Sequence, residues 1–268
     1  MHDVARLQEH LRNLGRVLLG YSGGVDSALL AVAAAEAIPP GRFLAVIGRS
    51  ASYPEAQYRT ALALARQFNI PLREVDTREL EDPRYLANAT DRCYFCKSEL
   101  WTRLDAIAGA ERFDVIIDGT NRDDLGEHRP GVAAGAEHRV RSPLAELGMG
   151  KAQIRESARA LGIPIWDAPA APCLSSRIRY GLPVTPDRLR QVELGEALLR
   201  SLGVVGDLRV RHLGDRGRIE VGPDQFPRLE SRWSEIEAGF AELGFGSVER
   251  DARGYRRGSL LVLDAGTP

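Results

Sequence analysis

The chain has 268 residues, and 36 lysines and arginines against 37 aspartates and glutamates leave a formal net charge of −1. A hydrophobic share of 44% and a charged share of 27% fit a soluble globular protein with one large domain or two small ones. The near-neutral balance argues against a general polyanion binder, and no apolar run approaches the roughly 20 residues that cross a bilayer.

The first sixteen residues read as a charged amphipathic helix without the apolar core of a signal peptide, so a cytoplasmic protein is expected. "RVLLGYS" (16–22) reads as a buried strand and 26–37 as a helix. "GRFLAVIGRS" (41–50) is strand-like, Pro54–Phe68 a helix, "IPLREVDT" (70–77) a third strand, Lys97–Ala108 a helix and "RFDVIIDGT" (112–120) a fourth strand. Short apolar strands separated by helices predict an α/β fold, a parallel sheet covered on both faces. Lys151–Leu161 reads as a further helix, ended by Gly162 and Pro164. The proline-rich "DAPAAPC" (167–173) reads as an extended connector. Beyond it come a helix over 186–202, two strands (207–214 and 217–222) joined at Gly214-Asp215-Arg216-Gly217, a helix over 223–243 and a strand at 246–251. The expected division is a first domain at 1–168 and a small α+β domain at 169–268, the latter serving substrate binding or oligomerisation.

Between the first strand and its helix lies Ser22-Gly23-Gly24-Val25-Asp26-Ser27. Two glycines let the backbone turn sharply with its N–H groups unshielded, and the helix N-terminus behind them makes an anion site. Ser22 and Ser27 add hydroxyl donors. Asp26 would repel a phosphate unless a cation intervened, which predicts Mg²⁺ shared between Asp26 and a polyphosphate. The loop matches neither GxxxxGK[ST] nor GxGxxG. In a parallel α/β sheet the ligand sits at the carboxyl ends of the strands. That places Ile47–Ser50, with Gly48, near a nucleotide base, and Asp118–Asp124, with Asp118 and Gly119, beside the phosphates or the substrate. Asp118 is alternatively a turn cap, and Lys151 is either a phosphate ligand or a solvated lysine.

Residue by residue, Ser22–Ser27 resembles the SGGxDS pyrophosphate loop of the PP-loop ATPases, the adenine nucleotide alpha hydrolase-like fold. That family includes GMP synthetase, NAD synthetase, asparagine synthetase and tRNA thiolation enzymes. The resemblance implies cleavage of ATP between its α and β phosphates, transfer of AMP to a substrate oxygen and release of pyrophosphate. Further along, "PCLSSRIRYG", "GTNRDDLGEHRPG", "LRVRHLGDRGRIEV" and "GYRRGS" look like the LarE family of ATP-dependent sulfur transferases, over nearly the whole chain. The resemblance implies that a pyridinium biscarboxylate mononucleotide is adenylated on a carboxylate. Sulfur from the enzyme then replaces AMP to give a thiocarboxylate, in the synthesis of a nickel-pincer nucleotide. By motif position Cys173 matches the sulfur-donating cysteine, which in the sacrificial version ends as dehydroalanine. Members of this family form homo-oligomers, and one is expected here.

The chain has three cysteines, Cys93, Cys96 and Cys173, an odd number that argues against a disulfide framework. Cys173 lies beside Ser175, Ser176 and Arg177, and a nearby guanidinium favours thiolate over thiol. Three thiolates can hold a 4Fe–4S cluster with one iron open, so the expected cofactors are ATP, Mg²⁺ and that cluster, held by Cys93, Cys96 and Cys173. A sacrificial Cys173, a disulfide or persulfide relay, and zinc completed by His128 or His138 remain open on the residues alone.

The small-molecule substrate implied is multiply anionic, and Arg177, Arg209 and Arg211 suit it because guanidinium forks match phosphate and carboxylate. Arg209 and Arg211 alternate on one strand and share a face, either as clamps or as a solvated row. Ser176 joins the substrate set, Glu196 orients substrate or neutralises an arginine, and Tyr255 packs. Two rival readings are a tRNA thiolation enzyme, which the charge balance and the absence of zinc-finger cysteine pairs at the ends oppose, and a nucleotide-binding module, which gives Cys173 and the arginines no role.

Overall fold

The computed structural model describes residues 2–125, 130–169 and 172–256. It divides into two units: the chain up to Asp82 with Asp91 onward to the Pro172 boundary, and Pro83–Thr90 with the chain from Pro172 onward.

The first unit holds α1 (His2–Arg12), β1 (Val17–Gly20), α2 (Val25–Ala37), β2 (Phe43–Arg49), α3 (Glu55–Gln67) and β3 (Leu72–Asp76). After α4 (Pro83–Leu86), which belongs to the second unit, it resumes with α5 (Arg92–Glu111), β4 (Val115–Ile117), α6 (Pro130–Glu137), α7 (Pro143–Glu146) and α8 (Lys151–Ala160). Its four strands are all parallel in the order β3-β2-β1-β4, with Val17 opposite both Phe43 and Val115. Successive strand side chains go to opposite cores, as the pleat requires. Val17, Leu19, Ala45, Ile47 and Ile117 join one buried cluster, and Leu18, Val46 and Ile116 join the other with Trp101 and Leu104 of α5. Both faces are therefore covered, as expected. Ser27 to Ala34 of α2 are all buried, the mark of a helix packed on every side. Gly20 closes β1 because the Trp101 ring occupies the space of a side chain there.

In the second unit are α4, α9 (Pro186–Ser201), β5 (Leu208–His212), β6 (Arg216–Val221), α10 (Phe226–Ser231), α11 (Trp233–Glu242) and β7 (Ser247–Arg250). β5 and β6 are antiparallel, and β7 lies parallel to β6. Leu208, Val210, Ile219 and Val221 point into a core shared with Leu229, Ile236 and Phe240. Asn88, next to α4, donates from Nδ2 to the carbonyls of Arg179 and Leu182, both at 2.8 Å, which ties Pro83–Thr90 into this unit.

Several elements differ from expectation. Helix α5 starts five residues before Lys97, so Cys93 and Cys96 are helical. Helices α4, α6 and α7, absent from the expected elements, each begin at a proline, which at the first helical position costs no hydrogen bond. The helix expected over 223–243 is split at Arg232, whose backbone (φ −121°, ψ 18°) leaves the helical region. Among the described residues no helix is long and apolar enough to cross a membrane.

His212, at the end of β5, is buried and held neutral. Its Nε2–H donates to Gln191 Oε1 (2.9 Å), and its Nδ1 accepts from the Gly214 N–H (3.3 Å). Burial, with a smaller push from Arg188, lowers its pKa from 6.5 to about 4. The unfolded chain therefore takes up a proton near pH 6.5 that the fold refuses until about 4, so stability is full above 6.5 and declines as pH falls toward 4. The expected loss is about 3 kcal/mol, and urea unfolding of the native protein against His212→Gln across that range measures it.

Candidate functional site

The strand order reverses at β1. The chain runs outward through β2 and β3, then returns to place β4 on the other side of β1. Ligands of open parallel sheets sit at such a switch point, at the carboxyl ends of the strands. Ser22–Ser27 follows β1 there, and Asp118–Asp124 follows β4. The two loops touch: a Cβ on Gly119 would lie 3.0 Å from the Ser27 backbone nitrogen, so only glycine lets the β4 loop approach the start of α2 this closely.

The Ser22–Ser27 loop is braced by its neighbours. Tyr53 Oη and Gln57 Nε2 both donate to the Ser22 carbonyl at 2.8 Å. Ser27 Oγ donates to the Gly24 carbonyl (3.1 Å) and accepts from the Ser22 N–H (3.2 Å). Gly23 has φ +66°, and a Cβ there would lie 2.6 Å from that of Ala61, so both backbone and space demand glycine. No side chain caps α2, and the first-turn N–H groups of an uncapped helix are anion donors.

Asp26 is mostly buried in that first turn. Burial foremost, then the Asp124 charge, raises its pKa from 3.8 to about 6, while Lys151, Arg155 and the Asn121 amide pull it down. The Asn121 amide faces it, yet Asp26 Oδ1 and Asn121 Nδ2 are both buried without a hydrogen bond of normal geometry. A buried carboxylate oxygen lacking a donor, beside N–H groups suited to phosphate, fits a cation bridging Asp26 to a polyphosphate.

Lys151 stands at the start of α8, its Nζ 3.7 Å from Asp124 Oδ1, with its backbone N–H donating to Asp123 Oδ2 (2.8 Å). Asp118 shapes the loop: its carboxylate accepts from the Thr120 N–H (3.0 Å), Thr120 Oγ1 (2.8 Å) and Ser142 Oγ (2.8 Å), as a turn cap does. Gly48, expected beside the base, has a packing reason to be glycine, since Leu100 and Thr77 press within 3.1 Å of where its Cβ would sit. Sequence reasoning placed Asn121 and Asp124 here only as members of a run, without a role for either, and missed Arg155. The first two stand in the "DGTNRDD" run, where nothing but position separates them from capping residues.

In the second unit Cys173 is a half-buried free cysteine leading into a single turn, Leu174–Arg177. Arg177, 3% exposed, donates from Nε to Glu196 Oε1 (3.0 Å) and from one terminal nitrogen to the carbonyls of Cys173 (3.0 Å) and Pro172. The Cys173 carbonyl also accepts from Ser176 Oγ (2.7 Å). The guanidinium thus fixes the backbone around Cys173 and, among the described residues, makes no hydrogen bond to its sulfur.

Arg209 and Arg211 are 8% and 6% exposed, so the solvated alternative is overturned. Arg211 donates from Nε to Glu220 Oε2 (2.9 Å) and from a terminal nitrogen to the Ser176 carbonyl (2.9 Å). The Arg209 guanidinium lies over the Tyr255 ring at 5.3 Å, and burial, then the Arg177 charge, lowers its pKa. Glu196 also accepts from the Val210 N–H (3.2 Å), which ties α9 to β5. Three buried guanidiniums against Glu196 and Glu220 make this half of the unit attractive to anions. Glu196→Ala removes the carboxylate from buried Arg177 and should lower stability by about 3 kcal/mol in chemical denaturation, at the low end for a broken buried pair because Glu196 keeps some exposure.

Cys93 is exposed and Cys96 half-buried, three residues apart on α5 and so neighbours on one helix face. His138 Nδ1 pairs with Asp105 Oδ2 at 2.5 Å, and His128 lies outside the described residues. Among the described residues no three His, Cys, Asp or Glu side chains form a group that could hold a metal ion.

Comparison with known proteins agrees with this geometry. Residues 4–103 match the NAD synthase family model. An uncharacterized protein of Synechocystis is 40% identical over 96% of each chain. The pyridinium-3,5-bisthiocarboxylic acid mononucleotide synthase of Lactiplantibacillus plantarum is 30% identical over 96% of this chain and 92% of its own. An uncharacterized protein of Methanocaldococcus jannaschii is 30% identical over 93% and 94%. With a nucleotide-type loop at the switch point of its sheet and similarity along nearly its full length to a synthase of this kind, the chain belongs to the LarE family of PP-loop proteins.

Proposed function

We propose that the protein is an ATP-dependent sulfur transferase that converts a carboxylate of pyridinium biscarboxylic acid mononucleotide into a thiocarboxylate, with Cys173 supplying the sulfur. The observation that carries this reading is the pairing, in one chain, of a polyphosphate-type loop around Asp26 with a cysteine whose carbonyl is held by buried Arg177, and with buried Arg209 and Arg211, the second of them on the Ser176 carbonyl. The Lactiplantibacillus plantarum relative is named as a synthase of the same product class.

The loop N–H groups, Ser22, Ser27 and Lys151 hold the β and γ phosphates of ATP; Asp26 would hold Mg²⁺, which would supply positive charge to the pyrophosphate. A substrate carboxylate oxygen attacks the α-phosphorus, the bond to the β-phosphate oxygen breaks, and pyrophosphate leaves. Arg177, Arg209 and Arg211, with Ser176 and Glu196, orient the anionic substrate. The Cys173 thiolate attacks the acyl carbon and AMP departs, leaving a thioester. Loss of the Cys173 α-proton to a base then breaks its Cβ–S bond, which yields the thiocarboxylate and dehydroalanine.

The test is a single-turnover reaction with ATP and the biscarboxylate mononucleotide. AMP and pyrophosphate are expected in equal amounts, along with one sulfur-bearing product and loss of the elements of hydrogen sulfide from Cys173 in the intact-mass spectrum. ADP as the nucleotide product would sink the reading. Iron analysis after anaerobic reconstitution decides the sulfur source: brown protein with about four irons would replace sacrificial Cys173 with a cluster held by Cys93, Cys96 and Cys173.

A further inference from the structure

Beyond the phosphate loop, the carboxyl edge of the same sheet carries a second built feature. Past the end of β2 stand Ser50 and Ser52, and past the end of β3 stands Glu79, at the start of a single turn over Glu79–Glu81. Ser50 Oγ and Ser52 Oγ both donate to Glu79 Oε1, at 2.5 and 2.8 Å, and the Ser52 N–H donates to Ser50 Oγ (3.2 Å). Glu79 is 2% exposed, and its other oxygen, Oε2, is buried with no hydrogen-bond partner.

A buried carboxylate anchored at one oxygen and bare at the other is costly unless a donor arrives. Such an acceptor suits an N–H group. On the sheet edge it stands on the side of β2 and β3, two strand spacings of about 4.8 Å from the phosphate loop after β1. That separation is the kind a nucleoside bridges, with its phosphates on the loop and its base over the outer strands. The exocyclic amine of adenine offers N–H groups there, whereas a 6-oxo purine offers an acceptor that an ionised carboxylate repels.

We propose that Glu79, held by Ser50 and Ser52, accepts a hydrogen bond from the adenine amine and is the residue that selects ATP over 6-oxo purine triphosphates. This rests on the ATP reading above. A site built around a hydrogen bond discriminates strongly, because the wrong ligand leaves its buried polar group unpaired.

The experiment is equilibrium titration of the full chain with ATP and with inosine triphosphate, without the pyridinium substrate. The native protein should bind ATP about 100-fold more tightly than the inosine analogue. In Glu79→Gln the amide N–H turns toward the 6-oxo group, and the preference should fall to about tenfold or less, by weaker ATP and tighter inosine triphosphate binding. Ser52→Ala, a milder change that frees one side of the carboxylate, should erode the preference part of the way and serves if Glu79→Gln fails to fold. An unchanged preference in folded Glu79→Gln, with only a lower melting temperature, overturns the assignment and leaves Glu79 a structural residue. Equal native binding of both nucleotides overturns it too, with the ATP reading intact. Native protein that binds neither overturns both.

Discussion

The Asp26→Asn variant is expected to lose adenylation by about 10³-fold while becoming more stable at neutral pH. Both effects come from one charge. Asparagine keeps the shape of the side chain in the first turn of α2 but has no negative oxygen to hold a cation against a polyphosphate, so departing pyrophosphate loses its counter-charge. The stability gain follows from the raised pKa. Asp26 titrates near 6 in the fold against 3.8 unfolded, because burial and Asp124 oppose the charged form. The folded state therefore binds the proton more tightly, and ionisation destabilises it increasingly as pH rises from about 4 to 6. The neutral amide escapes this penalty, so the variant should exceed the native protein by about 2 kcal/mol above pH 7 and match it near pH 4. Pyrophosphate release and urea unfolding at the two pH values test the two halves separately. Unchanged pyrophosphate release would remove Asp26 from the metal role, whatever the unfolding showed.

The second large effect is expected at Cys173. In Cys173→Ala the sulfur product should disappear altogether while AMP and pyrophosphate still form from the native-like loop, because the two residues act in successive steps and belong to different units. The backbone around position 173 should hold its place, since Arg177 and Ser176 grip the carbonyl of that residue and not its side chain. An acyl adenylate trapped by added hydroxylamine would mark the interrupted step. A thiolated product from this variant would show that the sulfur comes from elsewhere, with Cys93 and Cys96 the next thiols to replace.

The parallel sheet was legible because strands buried on both faces need continuous apolar runs such as Val17-Leu18-Leu19, and helices between them keep their own period. The loop was legible because Gly23, Gly24 and Asp26 stand at a fixed spacing between such a strand and a helix. Less was legible where one residue type serves two ends. Short helices α4, α6 and α7, each starting at a proline, carry too few residues to show a period, and the carboxylates of "DGTNRDD" look alike in sequence although Asp118 is a cap and Asp124 bears on Asp26.

By itself the sequence determined the α/β class, the phosphate-type loop after the first strand, and the alternation that puts Arg209 and Arg211 on one strand face. These are local matters of period, spacing and backbone freedom, written into a few neighbouring residues. Tertiary structure alone decided that this face is buried, that Glu196 meets Arg177 and Glu220 meets Arg211, and that Glu79 joins Ser50 and Ser52 from another strand end. Burial and pairing of charge depend on which distant segments meet, and solvent exposure is a property of the packed chain that no short stretch carries.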